Sequence, residues 1–275
     1  MASMLQYRGT LEYAARRGDL DVLAYDWLGC GASAKPRDWD AYSTPNLLAD
    51  LLAAYRMLLE PDGPGSGSAV PTILVGHSFG TSLVTQLAAD LAKGEAEVGL
   101  PPPAALCLMA ASDGVGVAGK TAIFRLPEFC LNWLQPTLTA AFSKMALHPE
   151  ASEDLRKECT AVSAANSMHV CKAFYRQMAW CSPEAAAAAG PALVLHGDSD
   201  GVVPAEEGQR AAARFRSASF HVLARASHQL MMEQTEATNA LLGALVDNVA
   251  AGREALSGLE GQGKGAADEG AAVGS

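Results

Sequence analysis

Apolar residues follow two rhythms along this chain, and the points where each starts and stops outline its elements. Leu47, Leu48, Leu51, Leu52, Tyr55, Leu58 and Leu59 recur at the spacing of one helix face, behind a Pro45 suited to a first helical turn. Leu5, Leu11, Tyr13, Ala14 and Ala15 predict a weaker amphipathic helix ending near Gly18. Thr81–Lys93 and Leu230–Ala250 read as helices too, the second with Leu241, Leu242, Leu245, Val246 and Val249 along one side. Short apolar runs bounded by turn residues lie between or beside them, at Asp21–Asp26, Thr72–Val75, Ala104–Ala111, Ala192–His196 and Ser219–Leu223. Unbroken runs of this length suit strands buried on both faces. With helical patterns between them, they predict an α/β fold whose mostly parallel sheet is flanked by helices.

The stretch from Asp113 to Glu184 breaks the rhythm. It carries Phe124, Phe129, Leu131, Trp133, Phe142, Phe174 and Trp180 but no strand-like run, and so predicts a helical cap. The expected division is a core in two pieces, 1–112 and 185–250, with the cap inserted at 113–184. Pro61–Ala69, rich in Gly, Ser and Pro, reads as a solvent loop. From Ala250 onward apolar side chains are too sparse to offset ordering entropy, so 251–275 reads as a disordered tail.

Candidate chemistry begins at Gly76-His77-Ser78-Phe79-Gly80, directly after one predicted strand and directly before a predicted helix. Close-set glycines let the chain reverse tightly there, holding Ser78 in a strained turn as a nucleophile would need. The Phe79 amide, at the start of the helix, is a candidate oxyanion donor. The alternative is a buried turn serine that merely caps the helix. Asp198 and Asp200 follow the Ala192–His196 run, and His228 follows Ser219–Leu223. Asp200 is the first choice of acid and Asp198 the reserve, while His228 would act as the base. His77 reads as a residue that packs or bonds locally. His148, His169, His196 and His221 are placed less favourably, and no spacing among them resembles a metal site.

Composition narrows the partners. A formal charge of −10 without a basic stripe gives a nucleic-acid backbone little attraction. Six cysteines without a C-x-x-C pair suit a reducing compartment better than a disulfide framework. No apolar run is long enough to span a bilayer, and Met1–Arg17 does not read as a signal peptide. The expected setting is cytoplasmic, with no metal or other cofactor.

Asp26-x-x-Gly29-x-Gly31-x-Ser33, the Gly76–Gly80 turn, Gly197-x-x-Asp200-x-x-x-Pro204 and Ser227-His228 together resemble the α/β-hydrolase fold, in its serine-nucleophile branch with a helical cap. Ser112–Gly116 and Leu126-Pro127-x-Phe129-Cys130 resemble an incompletely characterised subfamily of α/β-hydrolase-domain proteins. The resemblance implies Ser78 as nucleophile, Asp200 as acid, His228 as base and Phe79 as amide donor. It also implies a small-molecule ester or lipid-like acyl substrate. Ser227 stands where the family commonly has glycine. Relatives further place two outer strands, and a strand ending in a His-Gly oxyanion loop, before the helix matching Leu5–Arg17. None is recognised here, so the expectation is an N-terminally truncated member. The competing expectations are a catalytically impaired interaction module and an incomplete fragment.

Overall fold

A computed structural model of the chain describes residues 3–59, 70–94, 99–115 and 121–261. Helix α1 (Arg8–Arg17) follows a 3-10 turn and ends where Gly18 takes a φ of 72°, a left-handed cap that glycine adopts without strain. Then come α2 (Thr44–Leu59), β1 (Ile73–His77), α3 (Phe79–Lys93) and β2 (Ala105–Met109). A helical insertion follows, made of α4 (Glu128–Ala146), α5 (Glu153–Ala164), α6 (Met168–Gln177) and α7 (Pro183–Ala188). The chain returns through β3 (Ala192–Gly197), α8 (Ala205–Ala212), β4 (Ala218–Leu223), α9 (Leu230–Glu233) and α10 (Thr235–Ala250).

Among the described residues, the strands form one four-stranded sheet in the order β1-β2-β3-β4, every neighbour pair parallel. Successive side chains on a strand point to opposite faces, and this splits the core in two. Leu106, Leu108 and Val194 pack with Leu47, Leu51, Leu83 and Leu87 of α2 and α3. Cys107, Met109, Leu193 and Leu195 pack with Leu230, Met231, Leu242 and Leu245 of α9 and α10. Each fully buried leucine in these layers contributes about 2–3 kcal/mol of transfer free energy. The strand ends that carry Ser78, Asp200 and His228 all lie at the carboxyl edge of the sheet, where a parallel arrangement leaves its crevice.

Three expectations change. Asp21–Asp26 forms no strand; it is an irregular segment with Val22 50% and Leu23 41% exposed. An apolar run pairs only where a neighbouring edge is within reach, and among the described residues β1 ladders with β2 alone. Leu230–Ala250 is two helices, broken at Gln234 (φ −129°, ψ 53°). The break lets α9 bury Leu230 and Met231 beneath the site while α10 runs across the sheet. The tail is packed at its start: Asn248 Nδ2 donates to the carbonyls of Ala255 (3.0 Å) and Ser257 (2.7 Å), and Ala255 and Leu259 are buried. The rest of the predicted tail, from residue 262, lies outside the described residues, as does the Pro61–Ala69 loop.

In the insertion, Phe129 and Trp133 are not core residues. They sit one turn apart on the outer face of α4, 75% and 82% exposed, while Leu131 turns inward onto Met168 and Cys171. Among the described residues, no helix is long and apolar enough to cross a membrane.

Candidate active site

Ser78 is the single residue between β1 and α3, with φ 53° and ψ −125°. A non-glycine residue pays about 1–3 kcal/mol for such a backbone, which persists only where its surroundings hold it. Two contacts do so here: Ser78 N–H donates to Met109 O across the sheet (2.9 Å), and Ser78 O accepts from the Thr81 hydroxyl (2.7 Å). The two glycines of the motif differ in kind. A Cβ on Gly76 would lie 2.8 Å from Gly80 O and from Val84, so that position excludes a side chain. A Cβ on Gly80 would meet nothing closer than Trp27, at 3.6 Å. Phe79 seats its ring edge-on to Phe174 and Trp180 (centroids 5.8 and 5.5 Å), which anchors the first turn of α3.

On the far side of the sheet, Asp200 and His228 meet. His228 Nδ1–H donates to Asp200 Oδ2 at 2.8 Å, and both side chains are buried. The other carboxylate oxygen accepts the amides of Val202 and Val203, each at 2.9 Å. Burial pushes the Asp200 pKa up. The His228 charge, the hydrogen bonds of His196 and His228 and the Val203 amide outweigh it, so the carboxyl is held well below its usual range. Asp198 serves the backbone instead. Its oxygens accept the Arg225 and Ala226 amides at 3.0 and 3.3 Å, pinning the loop after β4. It makes no hydrogen bond to His228.

His77 and His228 lie ring against ring, centroids 4.8 Å apart, and His77 Nε2–H donates to the His228 carbonyl at 2.8 Å. Burial, then the nearby His228 charge, lowers the His77 pKa to about 3. Ser227 is wholly buried; its hydroxyl donates to Met145 O (2.9 Å), tying α4 to the loop that carries His228. Its amide donates to Glu233 Oε2 (2.7 Å).

Ser78 and His228 line one cavity of about 1060 Å³, whose walls come from both the sheet and the helical insertion. Ile73, Val75, Phe124, Phe142, Tyr175 and Val246 make its lining largely apolar. With Nδ1 engaged by Asp200, Nε2 is the nitrogen His228 has left for a partner. Among the described residues, Ser78 Oγ makes no hydrogen bond to His228, and no cluster of His, Cys, Asp and Glu could hold a metal ion. The sequence reading ranks His196 low, gives Ser227 no contact of its own and does not single out Glu233. His196 carries a signal as a polar residue ending a run otherwise apolar enough to be buried, and Ser227 as a departure from glycine; Glu233 carries none.

The family model described as "Serine aminopeptidase, S33" matches residues 4–235. Protein ABHD8 of Homo sapiens is 29% identical over 250 residues, covering 87% of this chain and 52% of that protein. Protein ABHD8 of Bos taurus is 29% identical over 256 residues with the same coverage. The chain thus spans about half the length of the curated relatives it matches. Among solved structures, an esterase (EaEST) from Exiguobacterium antarcticum superposes with a TM-score of 0.72 at 14% identity, over 90% of this chain and 88% of that one. A bromoperoxidase from Bacillus anthracis gives 0.69 at 17% identity, over 87% and 86%. At these identities the likeness is one of fold.

Proposed function

We propose that this chain, which belongs to the serine aminopeptidase, S33, family of α/β-hydrolase-fold proteins, is a serine hydrolase of esters with an apolar acyl group. In this reading Ser78 Oγ attacks the acyl carbonyl while His228 Nε2 takes its proton. The tetrahedral oxyanion is met by the Phe79 amide at the N-terminus of α3. His228 then returns the proton to the departing alcohol, and the acyl group stays on Ser78. Water, activated by the same histidine, releases the acid. Asp200 keeps His228 in the Nδ1–H tautomer throughout. The observation that carries the reading is a serine in a strained turn sharing one apolar cavity with a histidine bonded at 2.8 Å to a buried carboxylate. An esterase among the structural neighbours agrees with it. The helical insertion, taken as a cap at 113–184, would close over the acyl chain. A cytoplasmic setting suits six cysteines none of which is in a disulfide.

Labelling with a fluorophosphonate probe, beside a Ser78→Ala control, tests this. Labelling of the folded wild-type protein and none of the variant is the expected result, followed by turnover of p-nitrophenyl esters that rises with acyl length. A second reading is an interaction module with a silent site, favoured by the absence of a Ser78–His228 hydrogen bond among the described residues. A folded wild-type protein that takes no label would establish it over the first.

A further inference from the structure

Asp200 Oδ2 faces two imidazoles. His228 Nδ1 lies at 2.8 Å and His196 Nε2 at 3.4 Å, and all three side chains are buried. His196 is the penultimate residue of β3, four residues before Asp200, with no exposed surface. Its Nε2 also lies 2.8 Å from the Val203 carbonyl. A carbonyl oxygen can only accept, so Nε2 carries the hydrogen and gives it to Val203 O, with the carboxylate oxygen 3.4 Å from the same nitrogen. Nδ1 is then the bare nitrogen; it is buried and meets no partner. A Cβ on residue 208 would stand 2.2 Å from it, so Gly208, in the middle of α8, is the residue that lets this ring lie flat under the helix. A glycine inside a helix is destabilising relative to alanine, and a buried unpaired nitrogen more so. Both are tolerated where an N–H must point along a fixed line.

We propose that His196 is a positioning residue for the acid: its Nε2–H, bonded to Val203 O, places the positive edge of the ring beside Asp200 Oδ2 and sets how much negative charge the carboxylate presents to the base. The proposal rests on the reading of Asp200 and His228 as acid and base. Asp200 Oδ1 is already filled by the Val202 and Val203 amides, so Oδ2 alone can be shared between His228 and another donor. Val203 O and Val203 N belong to the same loop, and His196 thereby fixes both the carboxylate and the turn that bears it. The other titratable groups acting on Asp200 are His228 on the loop after β4, His77 on β1 and Glu233 on α9, while Glu207 precedes Gly208 on α8. Glu207 accepts from the Ser112 hydroxyl at 2.7 Å, and Glu233 accepts from the Ser227 and His148 amides.

The sign of the effect follows from charge. Removing a donor from a carboxylate leaves its charge less dispersed, which tightens its hold on a protonated partner. In His196→Leu the base is therefore freed only at higher pH. The acid limb of kcat/KM for a p-nitrophenyl ester moves up by about half a pH unit or more, and kcat falls about tenfold with KM little changed. His196→Gln, which restores an N–H at similar reach, recovers kcat to within about threefold of wild type.

Nitrogen-15 NMR of histidine-labelled protein gives a readout free of turnover. Titrating His228 in the wild-type protein should move the His196 Nε2 resonance through the shared carboxylate, and His196→Leu should shift the His228 Nδ1 proton. A folded His196→Leu with an unmoved acid limb, an unmoved His228 resonance and only a lower Tm would overturn the proposal, leaving His196 as a tie to Val203. Should His196→Leu not fold, a His196 resonance indifferent to the His228 titration in wild type overturns it equally. A folded wild-type protein without label or turnover, yet with the two resonances coupled, sinks the hydrolase reading while leaving His196 where the geometry assigns it.

Discussion

Strands β1 and β3 are alike as sequence and unlike as structure. Both are short apolar runs that lead into a candidate site residue. Every residue of β3 is buried, whereas β1 buries only Gly76. β3 lies between β2 and β4, while among the described residues β1 ladders with β2 alone. The bonds to β2 use Thr72 O and Ser78 N–H, so the backbone groups of Ile73, Val75 and His77, of opposite parity, point the other way. Those of Ile73 and Val75 meet no partner among the described residues, and both residues line the cavity that the irregular 21–26 segment also lines. The Asp200–His228 side of the site is thus fixed by closed packing, and the Ser78 side by the turn at Ser78 itself. A residue's chemistry is specified as firmly as the number of elements that brace it.

Asp200→Asn strikes the braced side and has the largest expected effect. It leaves the loop amides an acceptor but forces His228 toward the wrong tautomer, so turnover should fall by about 10³–10⁴. Asp198→Asn, in the same loop, should stay within about twofold of wild type, since Asp198 holds backbone rather than the base. Steady-state hydrolysis by the two variants decides it. Equal losses would mean that the loop, not the Asp200 carboxylate, is what the site needs.

A smaller effect sharpens the contrast between the strands themselves. Leu195 on β3 is fully buried, and Leu195→Ala should cost about 3 kcal/mol in urea unfolding. Val75→Ala on β1 should cost about 1 kcal/mol, because its cavity wall is already open. Similar losses at both positions would show that the cavity beside β1 is closed in solution.

Most of the frame was legible because its signals are local. β2, β3, β4 and α3 begin and end within two residues of where apolar runs and turn residues put them. The candidates Ser78, Asp200 and His228 carried local signals as well: Ser78 directly follows β1, and Asp200 and His228 lie in the loops after β3 and β4. What sequence did not disclose was pairing. Asp21–Asp26 has a strand's composition, but a ladder needs a neighbour, and no property of six residues reports whether one is in reach. Gln234 was invisible for a related reason: the break serves the docking of Leu230 and Met231, a demand of the tertiary core. Nor could composition reveal that Ala255 and Leu259 find a seat against the sheet. His196 was set aside as weakly placed, because its partner, Asp200, becomes a neighbour only once the loop folds back.

His77 joins the two sides, ending β1 while its ring lies against His228, and it carries the smallest of these effects. Its folded pKa, about 3, lies below the ordinary 6.5. Between those values the unfolded chain binds a proton that the folded chain does not, so stability rises with pH through that window and is complete above it. One proton is worth about 1.4 kcal/mol per pH unit. His77 keeps part of its surface open to the cavity, and water there should hold the slope below that ceiling. His77→Gln keeps a donor for the His228 carbonyl and removes the titration. Urea midpoints of both proteins from pH 6.5 to pH 4 should therefore converge as pH falls, the wild type losing stability faster. Parallel curves would mean that His77 takes up its proton in place, and that the open wall beside β1 admits enough water to solvate it.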